Sequence, residues 1–298
     1  MKKKNLLLLL INLIAATILN AQLPNTDILL FKRINPSENF YSKPINITNR
    51  IGYDNQPSFS PDSKELLFVS VIDTNQSDVW IYDIKKKSKR QVTNTKVSEY
   101  SPTFINGGNS ISVVRVDADS GQRFYILPFP TTQPEKLIKD TDSIGYSCWI
   151  NDHTIAMFLV GDTNTLQILN METGLKTKIA NEPGRCIKVN PKNKLVYYVE
   201  KKDSVNWFLM KLDPVTFKST QVVKMLKGSE DFAFFSNGLL ASPHETTLFK
   251  LDEPKQAWYA IDRLTLPIEQ NFFRIAISPD DSYIAVVVKM DDDGTVKK

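Results

Sequence analysis

The strongest constraint on this chain is a phrase it uses twice. QPSFSPDSKELLFV runs from Gln56 to Val69, and RIAISPDDSYIAVV runs from Arg274 to Val287. Each has an apolar residue, Ser-Pro-Asp, a polar pair and an apolar strand-like run. Taking the apolar residue before Ser-Pro-Asp as an anchor, the same rhythm appears between the two copies. The anchors are Phe59, Phe104, Trp149, Val189, Phe235 and Ile277, with spacings of 45, 45, 40, 46 and 42 residues. That period is the length of a four-stranded unit in a radial β repeat.

Each unit repeats one grammar. A strand ends at the anchor, and a turn rich in Ser, Pro, Asp, Asn or Gly follows, because these residues preset or tolerate turn dihedrals. Then come an apolar run such as LLFVSV or YIAVVV, a third strand such as DVWIYDI or WFLMKLD, and a shorter polar strand such as RQVTN. No long stretch has a 3.6-residue apolar period, so the expected fold class is all-β. The last unit supplies only two strands before DDDGTVKK. The early DILLFKR resembles DVWIYDI, and KPINITN resembles KRQVTN. Residues 27–33 and 43–49 are therefore expected to complete the sixth unit. The expected architecture is a six-bladed β-propeller whose last blade is closed by N-terminal strands, which removes exposed sheet edges.

The units also carry a family resemblance. Ser60-Pro61-Asp62, Asp78-Val79-Trp80 and Val92-Thr93, with Ser278-Pro279-Asp280 at the far end, resemble the TolB-type, WD-like propeller repeat. The middle units keep the rhythm without that signature. The resemblance covers about residues 27–290 and implies an exported six-bladed propeller engaged in protein contacts. The TolB N-terminal α/β domain has no counterpart in the sequence, so the partners of TolB itself are not carried over. Similar propellers precede hydrolase domains in prolyl-oligopeptidase-type enzymes. No Gly-x-Ser-x-Gly elbow occurs here.

Before the repeats, MKKK and NLLLLLINLIAATILN, with Ala21 before a cut, read as a secretory signal over residues 1–21. An uncleaved anchor helix is the alternative. The first cysteine is Cys148, so no lipobox is expected near the cut. Residues 22–298 are expected to form one propeller domain in the periplasm or outside the cell, without a membrane span after cleavage. The formal charge is +4, and three of its lysines lie in the leader. Removing them leaves +1, which gives no basis for nucleic-acid binding. The dense basic run Lys85 to Arg90 reads as a solvated hairpin.

The search for chemistry yields little. His153 and His244 are the two histidines, in different units and at different strand ends, too few for a three-His metal site. Asp291-Asp292-Asp293-Gly294 lacks the alternating ligands of an EF-hand, and Asp117 to Gly121 reads as turn chemistry. No cofactor or metal is expected. The aromatic anchors read as packing between units. Cys148 and Cys186 share parity on neighbouring inner strands, and their pairing stays open.

Recognition is expected at the channel mouth, where residues just before each innermost strand surround the axis. Four residues before the anchors stand Asn55, Tyr100, Gly145, Arg185, Asp231 and Phe273. Three before stand Gln56, Ser101, Tyr146, Cys186, Phe232 and Arg274. From these, Asn55, Tyr100, Tyr146, Arg185, Asp231 and Arg274 are the expected partner-binding residues. The expected function is a monomeric, non-catalytic scaffold binding a protein partner in the cell envelope. The alternative is a propeller that binds or processes carbohydrate or peptide through the same mouth.

Overall fold

A computed structural model describes residues 23–35, 40–72, 76–133, 135–263 and 271–290 of the 298. The leader reading at residues 1–21 and the acidic run at 291–294 lie outside the described residues.

The described chain is β-strand joined by turns, with one three-residue helical turn at Asn106–Gly108. Three strands open it: β1 (Thr26–Asn35), β2 (Phe40–Tyr41) and β3 (Ile45–Asn46). Next come β4 (Tyr53–Phe59), β5 (Glu65–Val71), β6 (Asp78–Asp83) and β7 (Ser88–Gln91), then β8 (Ser98–Ile105), β9 (Ser110–Val116), β10 (Gln122–Pro128) and β11 (Lys136–Ile138). A third group holds β12 (Ile144–Asn151), β13 (Thr154–Leu159), β14 (Thr165–Asn170) and β15 (Lys176–Asn181). A fourth holds β16 (Pro183–Val189), β17 (Val196–Lys201), β18 (Trp207–Leu212) and β19 (Ser219–Lys224). The fifth holds β20 (Ala233–Phe234), β21 (Leu240–His244), β22 (Thr247–Asp252) and β23 (Ala257–Arg263), and β24 (Phe272–Ile277) and β25 (Tyr283–Lys289) follow.

Four groups form separate four-stranded sheets in chain order, β8 to β11, β12 to β15, β16 to β19 and β20 to β23. The remaining strands form one sheet of order β24-β25-β1-β4-β5-β6-β7, with β2 and β3 also on β1. Within it β1 runs antiparallel to β25 from Thr26↔Lys289 to Lys32↔Tyr283, and β3 pairs with β1. The contact between β1 and β4 is a single parallel pair, Thr26↔Tyr53. Thr26 secures it from both sides: its hydroxyl donates to the Asp54 carbonyl at 2.9 Å and accepts the Asp54 N–H at 3.1 Å. Buried Asp27 fastens the returning chain, accepting Thr48 Oγ1 at 2.8 Å and Asn46 Nδ2 at 2.7 Å.

The continuous apolar runs have a direct cause. Successive side chains of a strand point to opposite faces, and here both faces of the middle strands are covered. In β17, Val196 and Tyr198 pack with β13 and β14, while Tyr197 and Val199 pack with Phe232, Leu240 and Leu251. In β25, Ile284, Val286 and Val288 face Phe235 and Leu248, while Ala285 and Val287 face Leu66 and Phe68. Each hydrophobic cluster thus bridges two consecutive strand groups. Burying each large side chain contributes about 1.5–3 kcal/mol.

The anchors sit in these junctions, with one correction. Phe59, Phe104, Val189 and Ile277 pair across their hairpins with Leu66, Ile111, Val196 and Ile284, and Trp149 pairs with Ile155. In the fifth unit the residue on that rung is Phe234, opposite Leu240, and not Phe235. Phe234 packs with the preceding group as the other anchors do, whereas Phe235 faces the following one. With two adjacent phenylalanines in a period-2 strand, hydrophobicity alone does not choose the face.

The turns after the anchors share one end of the molecule. Ser60 Oγ donates to Asp62 at 2.7 Å and accepts the Lys64 and Glu65 N–H groups at 3.1 and 2.9 Å. Ser278 Oγ repeats this with Asp280 at 2.7 Å and the Tyr283 N–H at 2.9 Å. Ser63 and Asp281 take matching left-handed φ values of 61° and 60°. The two copies also touch: the Asp280 N–H donates to Ser63 Oγ at 3.2 Å. The basic run Lys85 to Arg90 is exposed, and Lys89 Nζ donates to the Thr48 carbonyl at 2.7 Å.

Candidate functional site

The strands β4, β8, β12, β16 and β24, with the segment leading into β20, run side by side as the first members of their groups. Their starts lie at the end opposite the Ser-Pro-Asp turns. Two of them begin alike: Gln56-Pro57 and Ser101-Pro102 sit at bulges where register shifts between Asn55 and Ser58 and between Tyr100 and Thr103. Gln56 and Ser101 hold φ of 58° and 52°. Proline suits a bulge, where its missing N–H leaves no ladder bond unmade. The Gln56 carboxamide oxygen accepts the Ser101 N–H at 2.6 Å, tying one inner strand to the next.

At this end lies a cavity of about 530 Å³. Its walls include Tyr53, Asn55, Tyr146, Arg185, Glu230, Asp231, His244, Phe273 and Arg274. A channel of about 380 Å³ continues below it along Gln56 to Ser58, Ser101 to Phe104, Tyr146 to Trp149 and Arg185 to Val189. Tyr146, Arg185, Asp231 and Arg274 line both spaces and form a waist between them.

Five of the six expected residues, Asn55, Tyr146, Arg185, Asp231 and Arg274, therefore line one cavity. Tyr100 does not: it is half-buried and packs with Val114, Phe124 and Ile144. Sequence reasoning missed Glu230 as a direct result of the Phe235 register, since four residues before Phe234 is Glu230. It also missed Tyr53, which lies before the positions considered. His244 lines this mouth, while His153 is exposed in a hairpin with Nδ1 3.5 Å from Glu172.

Two ion pairs organise the waist, and they differ. Arg185 Nε donates to Glu230 at 2.6 Å, and Lys201 Nζ meets the other Glu230 oxygen. Burial works to raise the Glu230 carboxyl, but Arg185 and Lys201 outweigh it and hold the group below its ordinary range. Arg274 Nε stands 4.0 Å from Asp231 Oδ2 and, although buried, has no hydrogen-bond partner. Asp231 Oδ1 instead accepts the Ile275 N–H at 2.9 Å. Burial raises the Asp231 carboxyl, and Arg274 and Lys188 offset this only in part. The Arg274 guanidinium carbon lies 5.5 Å from the Tyr146 ring centre. Tyr53 is pushed up to about 12 by burial, against the pull of Arg274.

Cys148 and Cys186 are free thiols. Cys186 Sγ accepts the Phe232 N–H at 3.4 Å, whereas Cys148 lies against the Trp149 carbonyl at 3.8 Å. Burial pushes both thiols up. Among the described residues no group of three or more His, Cys, Asp or Glu side chains could hold a metal ion.

Compared with solved structures, the chain is similar to a protein of Agrobacterium tumefaciens assigned as TolB, at 12% identity and TM-score 0.70, over 90% of this chain and 99% of that one. The fold is that of a TolB-like β-propeller. TolB of Acinetobacter baumannii is also similar, at 13% identity and TM-score 0.56, over 89% of this chain and 64% of that one. So is an oligogalacturonate lyase in complex with manganese, at 14% identity and TM-score 0.56, over 84% of this chain and 81% of that one. No protein-family model and no curated protein sequence matches the chain.

These likenesses correct one expectation. A chain without catalysis was expected from its scarce histidine, but the propeller fold is shared with the lyase and with a protein assigned as a gluconolactonase, at 9% identity and TM-score 0.62 over 87% of this chain and 97% of that one. One propeller fold hosts different chemistries, so neither the fold nor the histidine count excludes an enzyme. The propeller's mouth carries ionisable groups other than histidine in Asp231, Tyr53 and Tyr146. Among the described residues, no helix is long and apolar enough to cross a membrane.

Proposed function

We propose that residues 22–298 form a six-bladed propeller, exported to the cell envelope after removal of a leader over residues 1–21, that binds a protein partner across its channel mouth. Six blades follow if the nine-stranded sheet is divided at its single parallel pair, Thr26↔Tyr53. One blade is then β4 to β7, and the other is β24, β25, β1 and β3, which joins the two ends of the chain. The observation that carries the binding role is the convergence of Asn55, Tyr146, Arg185, Asp231 and Arg274, from five different blades, on one cavity. Apolar side chains stand exposed around it: Leu23 and Phe273 line the cavity, and Ile51 lies just before β4. A polar pocket with an apolar rim and aromatic and arginine side chains suits a recognition surface.

The test is crosslinking of the purified protein to its own envelope extract, beside Arg185→Ala and Phe273→Ala variants. A discrete partner captured by the native protein and lost by both variants supports the reading. A partner captured equally by all three moves the contact away from the mouth.

A second reading rests on the buried Asp231 beside Arg274, Tyr146 and Tyr53. This set of acid, base and cation could process a carbohydrate or peptide in the same cavity. Turnover of a glycan or peptide that is abolished by Asp231→Asn, with binding kept, would favour it.

A further inference from the structure

The two arginines of the waist are not equivalent. Arg185 is committed: Glu230 takes its Nε and closes on its terminal nitrogen, and Lys201 completes that carboxylate. Arg274 is held less tightly. It lies 4.0 Å from Asp231, its Nε makes no hydrogen bond, and Asp231 spends one oxygen on the Ile275 N–H. A guanidinium presents its donors as a planar fork, and a buried donor left unpaired costs about 1–3 kcal/mol. Arg274 therefore sits at the floor of the mouth cavity with its Nε unpaired and its charge met only by the more distant Asp231 and by Tyr146. Tyr146 lies beside it, and Tyr53 lines the same cavity.

We infer that Arg274 is the receptor for a carboxylate group of the bound ligand, taken as a fork at the waist of the channel, with Asp231 as the internal carboxylate the ligand displaces. This rests on the mouth being the binding site and adds what the site recognises. A planar carboxylate matches the guanidinium in two parallel N–H···O bonds. The cavity of about 530 Å³ has room for a short acidic peptide end or a sugar acid. Both carry the same anionic group. Asp231 keeps Arg274 neutralised when the site is empty, so a competing acid gains affinity when that internal rival loses its charge.

The experiment is isothermal titration calorimetry of the purified protein at neutral pH and millimolar ligand. The probes are the dipeptide Ala-Ala against its C-terminal amide, and glucuronate against glucose. The expected result is heat from at least one acid and none from its neutral counterpart. The member of the pair that binds identifies the source. Arg274→Gln is expected to weaken the acid roughly tenfold or more. Arg274→Lys restores charge without the fork and is expected to rescue only part. Asp231→Asn, which keeps an acceptor for the Ile275 N–H, is expected to tighten binding several-fold, an outcome a merely structural role would not produce. Arg274→Gln leaves a buried carboxylate uncompensated, so the double variant Arg274→Gln/Asp231→Asn, checked by its thermal melt, serves as the folded non-binder. Binding of neither acid, equal binding of acid and neutral partner, or weaker binding in Asp231→Asn overturns the inference. If the crosslinked partner still depends on Arg185 and Phe273 while no acid binds, the mouth survives as a binding surface and only the carboxylate assignment falls.

Discussion

The hairpin turns and the starts of the inner strands are both rich in polar side chains, yet their carboxylates behave oppositely. In the hairpins, Asp62, Asp213 and Asp280 are held below their ordinary range, Asp62 at about 2, because nearby N–H groups, hydroxyls or a lysine serve the charged form. At the mouth end, burial raises Asp54, Asp231 and Glu99, the last to about 7. Glu230 departs from that pattern only because two cations outweigh its burial. Hairpin carboxylates are served in their charged form and stabilise the fold. Carboxylates at the inner-strand starts are buried at a cost to the fold, as perturbed groups at functional sites commonly are.

The largest way to break this comparison is at the sheet that pairs β1 with β25. Phe31 is fully buried between β1, β20 to β22 and β25. Phe31→Ala is expected to cost about 4 kcal/mol in urea unfolding. A cost well below 2 kcal/mol would mean that β1 is dispensable to the sheet it shares with β25.

Glu99 sharpens the comparison next. It is 1% exposed and accepts Thr95 Oγ1 at 2.6 Å and Thr93 Oγ1 at 3.1 Å. Its pKa in the fold is about 7 against 4.5 unperturbed. Between those values the native state binds more protons than the unfolded chain, so stability falls as pH rises through the window. The loss from pH 4.5 to above 7 is expected to reach about 3 kcal/mol. Glu99→Gln is expected to flatten that stretch of the stability profile and to raise the melting temperature at pH 8 but not at pH 4.5. A wild-type profile already flat there would put Glu99 in a wetter site than its burial implies.

The smallest effects belong to the hairpins. Ser60→Ala and Ser278→Ala each remove an acceptor for backbone N–H groups and are expected to cost about 1 kcal/mol. Near-equal costs in denaturant melts, with partner and acid binding unchanged, would confirm that the two Ser-Pro-Asp turns do the same local work. A binding defect in either would erase the division between the two ends.

How much was legible follows the same line. Ser60 and Ser278 betray their turns in sequence because their partners lie within five residues. The pairing of β1 with β25 was legible because DILLFKR and KPINITN supply the strand types the last unit lacks. Phe234 was misread because Phe235 stands beside it, and Glu230 was lost with it. Tyr100 was placed in the mouth by counting, but its ring turns into the junction with β12 to β14, where there is apolar surface to cover.

The sequence by itself determined the period, the strand order within each unit, the turn chemistry and the pairing of β1 with β25. These rest on interactions between near neighbours and on a rhythm that survives a one-residue error. Only the tertiary structure decided that Arg185 is closed on Glu230 while Arg274 is left loose beside Asp231. That difference depends on tenths of a nanometre between side chains from separate blades, and on burial that no single blade creates alone.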